Sequence, residues 1–335
     1  MPAYHRAGRN GWLHASARRA QGSPFTAFVT GTIIFIKLIL FVQLYVQPTL
    51  PTDPNTALAR MPQADSDRLR ARPALSPVLF PDYADAIRGL DLATIGSPAA
   101  LPERFLLARE GRLSVHYIPF EYVNPAARIV VVGIAPGFVQ WKNAMAETQR
   151  RLAADAPQDE VLRAARLAGA FSGAIRPNFV ALLDAIGVQR WLGIASCASL
   201  FDQDAHLVQI SAILRHPVFV DGRNYSGTPG MARLPFLREQ VLRYFALEAA
   251  QLPDALYIPM GGSVAEGLDW LAREGVIRRE RILHGLPHPS GANAERVAYF
   301  LGRKERATLS SRTNPRQIDA ARATLLAQMA ALSDR

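Results

Sequence analysis

The alternation of apolar and helical segments along this chain predicts an α/β fold, a three-layer α/β/α sandwich around a central four-stranded parallel sheet. Four short apolar runs, at residues 128–133, 191–196, 256–261 and 281–286, each have the length of a buried strand and each end at a turn. Helical patterns fall between and around them, at 144–152, 161–167, 179–186, 236–252 and 264–274. Strand and helix in alternation give parallel pairing with helices on both faces. Composition agrees: 335 residues, 49% hydrophobic and 20% charged, can bury a full core and exclude a disordered chain.

The first 60 residues stand apart. Residues 25–46 form an apolar stretch long enough to span a bilayer, interrupted by Lys37. Arg6, Arg9, Arg18 and Arg19 precede it and only Arg60 falls in the 20 residues after it, so that, as a signal anchor, it places the rest of the chain outside the cytoplasm. No small-residue cleavage site follows. The competing reading is a native start at Met61. The run from Ile33 to Ile39 differs in character from a chain with 35 Arg and three Lys, and Met61 opens an ordinary soluble sequence. The first reading gives an inner-membrane anchored protein and the second a cytoplasmic one. The expected organisation is an extension at 1–60, a lead-in with a hairpin at 61–127, the α/β domain at 128–310 and a C-terminal helix at 311–335.

Within the lead-in, residues 61–103 are rich in Pro, Asp and Arg and are expected to be loosely structured apart from a short helix at 83–88. Segments 105–109 and 113–118 flank Glu110-Gly111 as a hairpin, expected to cover one edge of the sheet. Near the end, a basic stretch (Arg303, Lys304, Arg306, Arg312, Arg316) surrounds Asn314-Pro315, an N-cap and first-turn proline for a last helix reaching about Leu332. The net charge of +10 is divided equally between residues 1–60 and the remainder, so the domain itself is mildly basic, which suits a phosphate-contacting face without requiring one. Cys197 is the only cysteine, which excludes an intramolecular disulfide, a cysteine zinc site and a four-cysteine iron–sulfur cluster. In its apolar run it reads as a buried, inert thiol. Asp202, Asp204 and His206 read as a polar turn rather than a metal site. His284 and His288 have i,i+4 spacing, but Gly285 and Pro287 break any helix that would pair them.

Two segments carry the chemistry. Val130-Val131-Val132-Gly133-Ile134-Ala135-Pro136-Gly137 is a buried strand entering a Gly-Pro-Gly turn, and Leu286-Pro287-His288-Pro289-Ser290-Gly291-Ala292-Asn293 delivers a His-Pro-Ser loop after the fourth apolar run. Both lie at carboxyl ends of predicted strands, where ligands bind in open α/β sheets. An imidazole at His288 can donate to a carbonyl oxygen on which charge develops. Pro289-Ser290-Gly291 offers a rigid turn with a hydroxyl and open amides for phosphate oxygens.

In this order the two segments resemble the two signature motifs of the uracil-DNA glycosylase superfamily, and the resemblance covers about residues 128–303. The first motif begins G-Q-D-P-Y-H, G-I-N-P-G or G-E-A-P-G in different branches. Gly133, Pro136 and Gly137 match it, while the water-orienting Asp or Asn falls at Ala135 and the iron–sulfur branch's Glu at Ile134. Gly169-Ala170-Phe171-Ser172-Gly173-Ala174, followed by Asn178 to Gly187, looks like the segment whose Phe stacks on the flipped base, a role that passes to Phe171. The family's base-reading Asn, at the end of the second strand, falls near Ser196, and its minor-groove wedge near Ala292.

The resemblance implies a cofactor-free hydrolase of base-excision DNA repair. It would cleave the N-glycosidic bond of a damaged base, uracil or another deaminated base, flipped out of single- or double-stranded DNA. His288 would be the catalytic residue. Gly133, Ile134, Ala135, Pro136, Gly137, Phe171 and Ser196 would form the base pocket, and Pro289, Ser290, Gly291, Ala292, Asn293 and Arg296 would contact DNA. Neither a metal nor an iron–sulfur cluster is expected, and a membrane only if residues 25–46 are an anchor. The alternative is a glycosylase fold that binds nucleic acid or a nucleotide without catalysis, which the missing polar groups at Ile134 and Ala135 favour.

Overall fold

The chain is a mixed α/β protein in which a parallel three-stranded sheet and an antiparallel four-stranded one are built from different parts of the sequence. The computed structural model describes residues 78–169 and 175–333, all within one unit of the chain spanning 64–335. The 25–46 segment, Met61 and Phe171 lie outside the described residues. Among the described residues no helix is long and apolar enough to cross a membrane.

Helix α1 (Phe80–Arg88) starts with a proline in its first turn and buries Phe80 and Ile87. Residues 78–103 were expected to be loose and are instead packed. Phe80, Ile87, Leu90 and Ile95 form one cluster with Phe105, Tyr117, Trp141 and Met145, and Tyr83 stacks on Tyr117 with ring centroids 3.9 Å apart. Strands β1 (Leu106–Glu110) and β2 (Leu113–His116) make the expected antiparallel hairpin, with Gly111 supplying the positive φ (55°) of its turn.

The following elements are β3 (Ile129–Gly133), α2 (Phe138–Ala153), α3 (Gln158–Ala168), α4 (Ile175–Ala185), α5 (Val188–Leu192), β4 (Val208–Ala212), β5 (Val218–Val220) and β6 (Arg223–Asn224). Helix α6 begins at Pro235–Gln240 and continues through a π-helical turn, Val241–Phe245, into Ala246–Ala249. Then come β7 (Leu256–Pro259), α7 (Gly262–Arg273), α8 (Ala294–Phe300) and α9 (Pro315–Ser333). The hairpin does not cover an edge of the parallel sheet. It joins β5 and β6 in the order β1-β2-β5-β6, because β2 pairs with β5 through Ser114 and Phe219.

The parallel sheet runs β4-β3-β7. Strand β3 is central and apolar on both faces, as a strand covered on two sides must be. Val130 and Val132 face one cluster with Phe245, Leu268 and Leu271 from α6 and α7. Ile129 and Val131 face the other, with Phe179 and Leu183 from α4 and Leu325 and Met329 from α9. All four are buried, each worth roughly 1.5–3 kcal/mol of apolar transfer. The last helix is thus part of the core, and Asn314 Oδ1 accepts from Gln317 N (3.3 Å) as its cap.

Two expected strands differ. Residues 191–196 do not form the second strand: Gly187 (φ 87°) and Gly193 (φ 74°) bracket the single helical turn α5. The second parallel strand is β4, whose Gln209 and Ser211 are buried on a polar face. The fourth run, 281–286, is reduced to one parallel bridge between Tyr257 and Ile282, extended by Leu283 N donating to Tyr257 O (2.9 Å). It stops there because Gly285, at φ 98°, turns the chain against α9, where an added Cβ would lie 2.6 Å from Ala321 Cβ. The α/β alternation holds, with three parallel strands and a single-bridge fourth segment.

Candidate active site

The carboxyl ends of β3, β4, β7 and the Ile282 segment lie along one edge, and both signature segments leave the sheet there. Beyond β3, backbone pairing continues as Ile213 N donates to Gly133 O (2.9 Å) and Leu214 N to Ile134 O (3.0 Å). The chain then turns at Pro136, which is buried, into α2. At Gly137 an added Cβ would lie 2.9 Å from Gln140 Oε1 and 3.0 Å from Asn224 Nδ2, so a side chain there would displace these two polar ends. Gly137 N donates to Gln140 Oε1 (3.1 Å), and Phe138 N to Asn224 Oδ1 (3.0 Å), fixing the turn at the start of α2.

Behind this turn lies a cavity of about 100 Å³ lined by Gly133, Ala135, Pro136, Gln140 and Gly169, with Phe120, Arg166 and Ser211 also in its wall. Space of this order admits at most one small planar ring. Ile134 and Ala135 are half-buried and pack on the core, so the segment offers apolar side chains and backbone where the resembled motif carries a carboxylate or amide. Polar groups come instead from Gln140 and Ser211.

On the other side of β7, the His288 loop is held at three points. Asn178 Nδ2 on α4 donates to Pro289 O (3.0 Å), Asn293 N donates to Ser290 O (2.9 Å), and Asn293 Nδ2 donates to Ser290 Oγ (3.3 Å). The His288 ring packs towards Gly261 at the end of β7, where a Cβ would be 3.9 Å from its Cδ2. Ser290 N donates to His288 Nδ1 (3.2 Å). An imidazole nitrogen that accepts carries no proton, so the ring proton sits on Nε2. Burial lowers the His288 pKa below its ordinary value, which keeps this neutral tautomer in place at neutral pH. Gly227 packs between the first segment and the start of α7: its added Cβ would meet Ser263 Oγ at 2.4 Å and Ile134 Cδ1 at 3.3 Å. The segments that deliver the two loops, β3 and the Ile282 segment, flank β7 and so lie two strand spacings, about 10 Å, apart.

Of the residues expected to contact DNA, Gly291, Ala292 and Asn293 form a short turn leading into α8. Gly291 and Ala292 are exposed. Arg296 is tied to Asn293 Oδ1 (2.9 Å) and to Arg312 O (3.1 Å), so it braces the turn. Ser196 does not join the site through a strand end. It caps the helical turn Cys197–Phe201, and its Oγ donates to Asp184 Oδ2 (2.7 Å). Cys197 is buried, and burial pushes its thiol pKa up. Among the described residues no group of three His, Cys, Asp or Glu side chains is placed to hold a metal. Sequence reasoning missed Gln140, Asn224 and Arg166. Gln140 lay three residues beyond Gly137, within reach of a capping pattern; the other two meet the site only through long-range packing.

No family model matches the chain, and no solved structure matches it. It is 32% identical over 208 residues to a Bacillus subtilis (strain 168) protein described as uncharacterized, YoxB; the match covers 61% of this chain and 81% of that protein. The chain belongs to the same family as YoxB.

Proposed function

We propose that the chain is a DNA glycosylase with a uracil-DNA glycosylase-like fold, hydrolysing the N-glycosidic bond of a uracil or other deaminated base flipped out of DNA. The observation that carries this reading is the His288 tautomer, with Nδ1 accepting from Ser290 N and Nε2 left as a donor. As the bond from C1′ to the base nitrogen breaks, its electron pair passes to the base. Negative charge then collects on the base carbonyl oxygen, where a neutral N–H donor stabilises it. Water adds to the sugar cation and loses its proton to solvent. Gln140, whose Oε1 also accepts from Gly137 N, would orient that water together with Ser211, in place of the polar group absent at Ile134 and Ala135.

The order of the parallel segments, β4, β3, β7 and Ile282, also supports the reading, because it puts both loops at one edge with a single strand between them. Backbone amides of Ser290, Gly291 and Ala292 would take phosphate oxygens, with Phe171 stacking on the base. A cytoplasmic location follows from this substrate.

A second reading, a glycosylase fold that binds nucleic acid or a nucleotide without cleaving it, draws on the apolar packing of Ile134 and Ala135. Incubating the protein and its His288→Ala variant with oligonucleotides carrying uracil, hypoxanthine, xanthine or mismatched thymine separates the two. Base release is expected from the wild type, falling about 10²–10³-fold in the variant while DNA binding persists. DNA binding without release from any substrate would establish the second reading.

A further inference from the structure

A cavity of about 260 Å³ opens at the free edge of β4, towards its amino end and away from the signature loops. Three arginines line it, Arg163 and Arg166 from α3 and Arg176 from α4, and no carboxylate does. Arg163 and Arg176 are exposed and form no ion pair among the described residues. Arg176 lies over the Phe201 ring, 4.6 Å from its centroid, a cation–π contact beside the cavity. Arg166 is buried, and its Nε has no hydrogen-bond partner among the described residues.

Three backbone carbonyls at this edge already accept hydrogen bonds. Asn124 Nδ2 donates to His206 O (2.8 Å) and Val208 O (3.1 Å), and Arg166 Nη1 to Ile210 O (2.9 Å). A peptide added as a further strand would find these acceptors occupied. What remains is a concave site with two guanidinium forks that form no ion pair among the described residues, and apolar walls from Tyr122, Leu200 and Ile210. Guanidinium forks match the oxygens of a phosphate, and the walls suit one planar ring. The volume lies near the lower limit for small-molecule sites.

We propose that this edge cavity binds a nucleoside monophosphate, independently of the chemistry at His288. The test is calorimetric titration of the full chain with adenosine 5′-monophosphate, adenosine and inorganic phosphate. The His288→Ala arm separates this cavity from the base pocket. The same titrations are run on the Arg163→Gln/Arg176→Gln and His288→Ala variants. Both arginines are exposed, so an unchanged unfolding midpoint verifies the fold of the double variant. The monophosphate is expected to bind at least tenfold more tightly than either of its halves, to lose at least tenfold in the double variant, and to bind His288→Ala unchanged. Absent binding, binding no tighter than phosphate alone, retention in the double variant, or loss in His288→Ala would each overturn the proposal, the last by placing the ligand at the signature loops.

Discussion

Replacing Glu248 by Gln tests the group of charges that supports the walls of both cavities. Its carboxylate is buried and accepts from Arg166 (3.0 and 3.1 Å), Arg215 (3.0 Å) and Gln209 (3.0 Å), groups contributed by α3, the turn after β4, and β4 itself. Burial alone would raise its pKa, but the two guanidinium groups hold it down at about 2. The ordinary value is 4.5, and the difference corresponds to about 3 kcal/mol of stability at neutral pH. Because the folded value is the lower one, this contribution is present above about 4.5 and is lost as pH falls towards 2. The glutamine keeps the shape but leaves two buried arginines without their carboxylate, a defect worth about 3–5 kcal/mol. At about 2–4 °C per kcal/mol for a domain of this size, the thermal midpoint at pH 7 should fall by about 10 °C. Urea unfolding at pH 7 should show the same loss, and the variant should lack the wild type's decline between pH 4.5 and 2. A loss below about 1 kcal/mol at pH 7 would refute the reasoning.

A gentler decline is expected at higher pH. Burial lowers the His116 pKa to about 4 and drives that of His216 well below its ordinary value, with Arg215 adding to the effect at His216. Both are neutral when folded, so unfolding free energy should drop as pH falls below the unfolded value of 6.5, before most carboxylates titrate. Glu121, raised by burial, works in the opposite sense, and the two histidines should outweigh it; a flat profile from pH 7 to 5 in urea titrations would contradict this. Gly285→Ala should cost about 1–3 kcal/mol, because the residue sits at φ 98° and its new methyl would press on Ala321 of α9. Chemical denaturation would measure it, and a neutral substitution would show that the turn before the His288 loop relaxes freely.

The parts of the fold legible in the sequence were those whose pattern is local. The three consecutive valines of β3, the Glu110-Gly111 turn and the Asn314-Pro315 cap each announce their element without reference to distant residues. The second parallel strand was hidden because Gln209 and Ser211 make Val208–Ala212 read as polar, and the partner that makes their burial tolerable, Glu248, lies 39 residues beyond Gln209. Trp191–Ser196 was misread for the opposite reason: it is largely apolar, but Gly187 and Gly193 in left-handed conformations bracket a single helical turn, Val188–Leu192, in place of a strand. Residues 78–103 looked loose because their prolines suppress periodicity, while Phe80 and Ile87 still anchor them under Trp141. Within the candidate site, the two segments were legible as strand-to-loop motifs, and both leave the sheet at one edge. The Gln140 and Asn224 contacts that shape the first loop, and the Asn178 contact that holds the second, depend on packing.

Arg166 links these observations. Its Nη2 donates to Phe120 O at the wall of the small cavity, its Nη1 donates to Ile210 O at the edge of β4, and both grip Glu248. The side chain therefore forms part of the wall of the cavity behind Pro136 and of the larger one at the sheet edge. A buried arginine fixed by a carboxylate and two carbonyls has little freedom to move, so ligands on its two sides share one rigid partition. Under the proposed chemistry, that rigidity has a use. With no polar side chain at Ile134 or Ala135, catalysis rests on holding the base oxygen against His288 Nε2, and preorganised donors act only if the pocket around them does not yield.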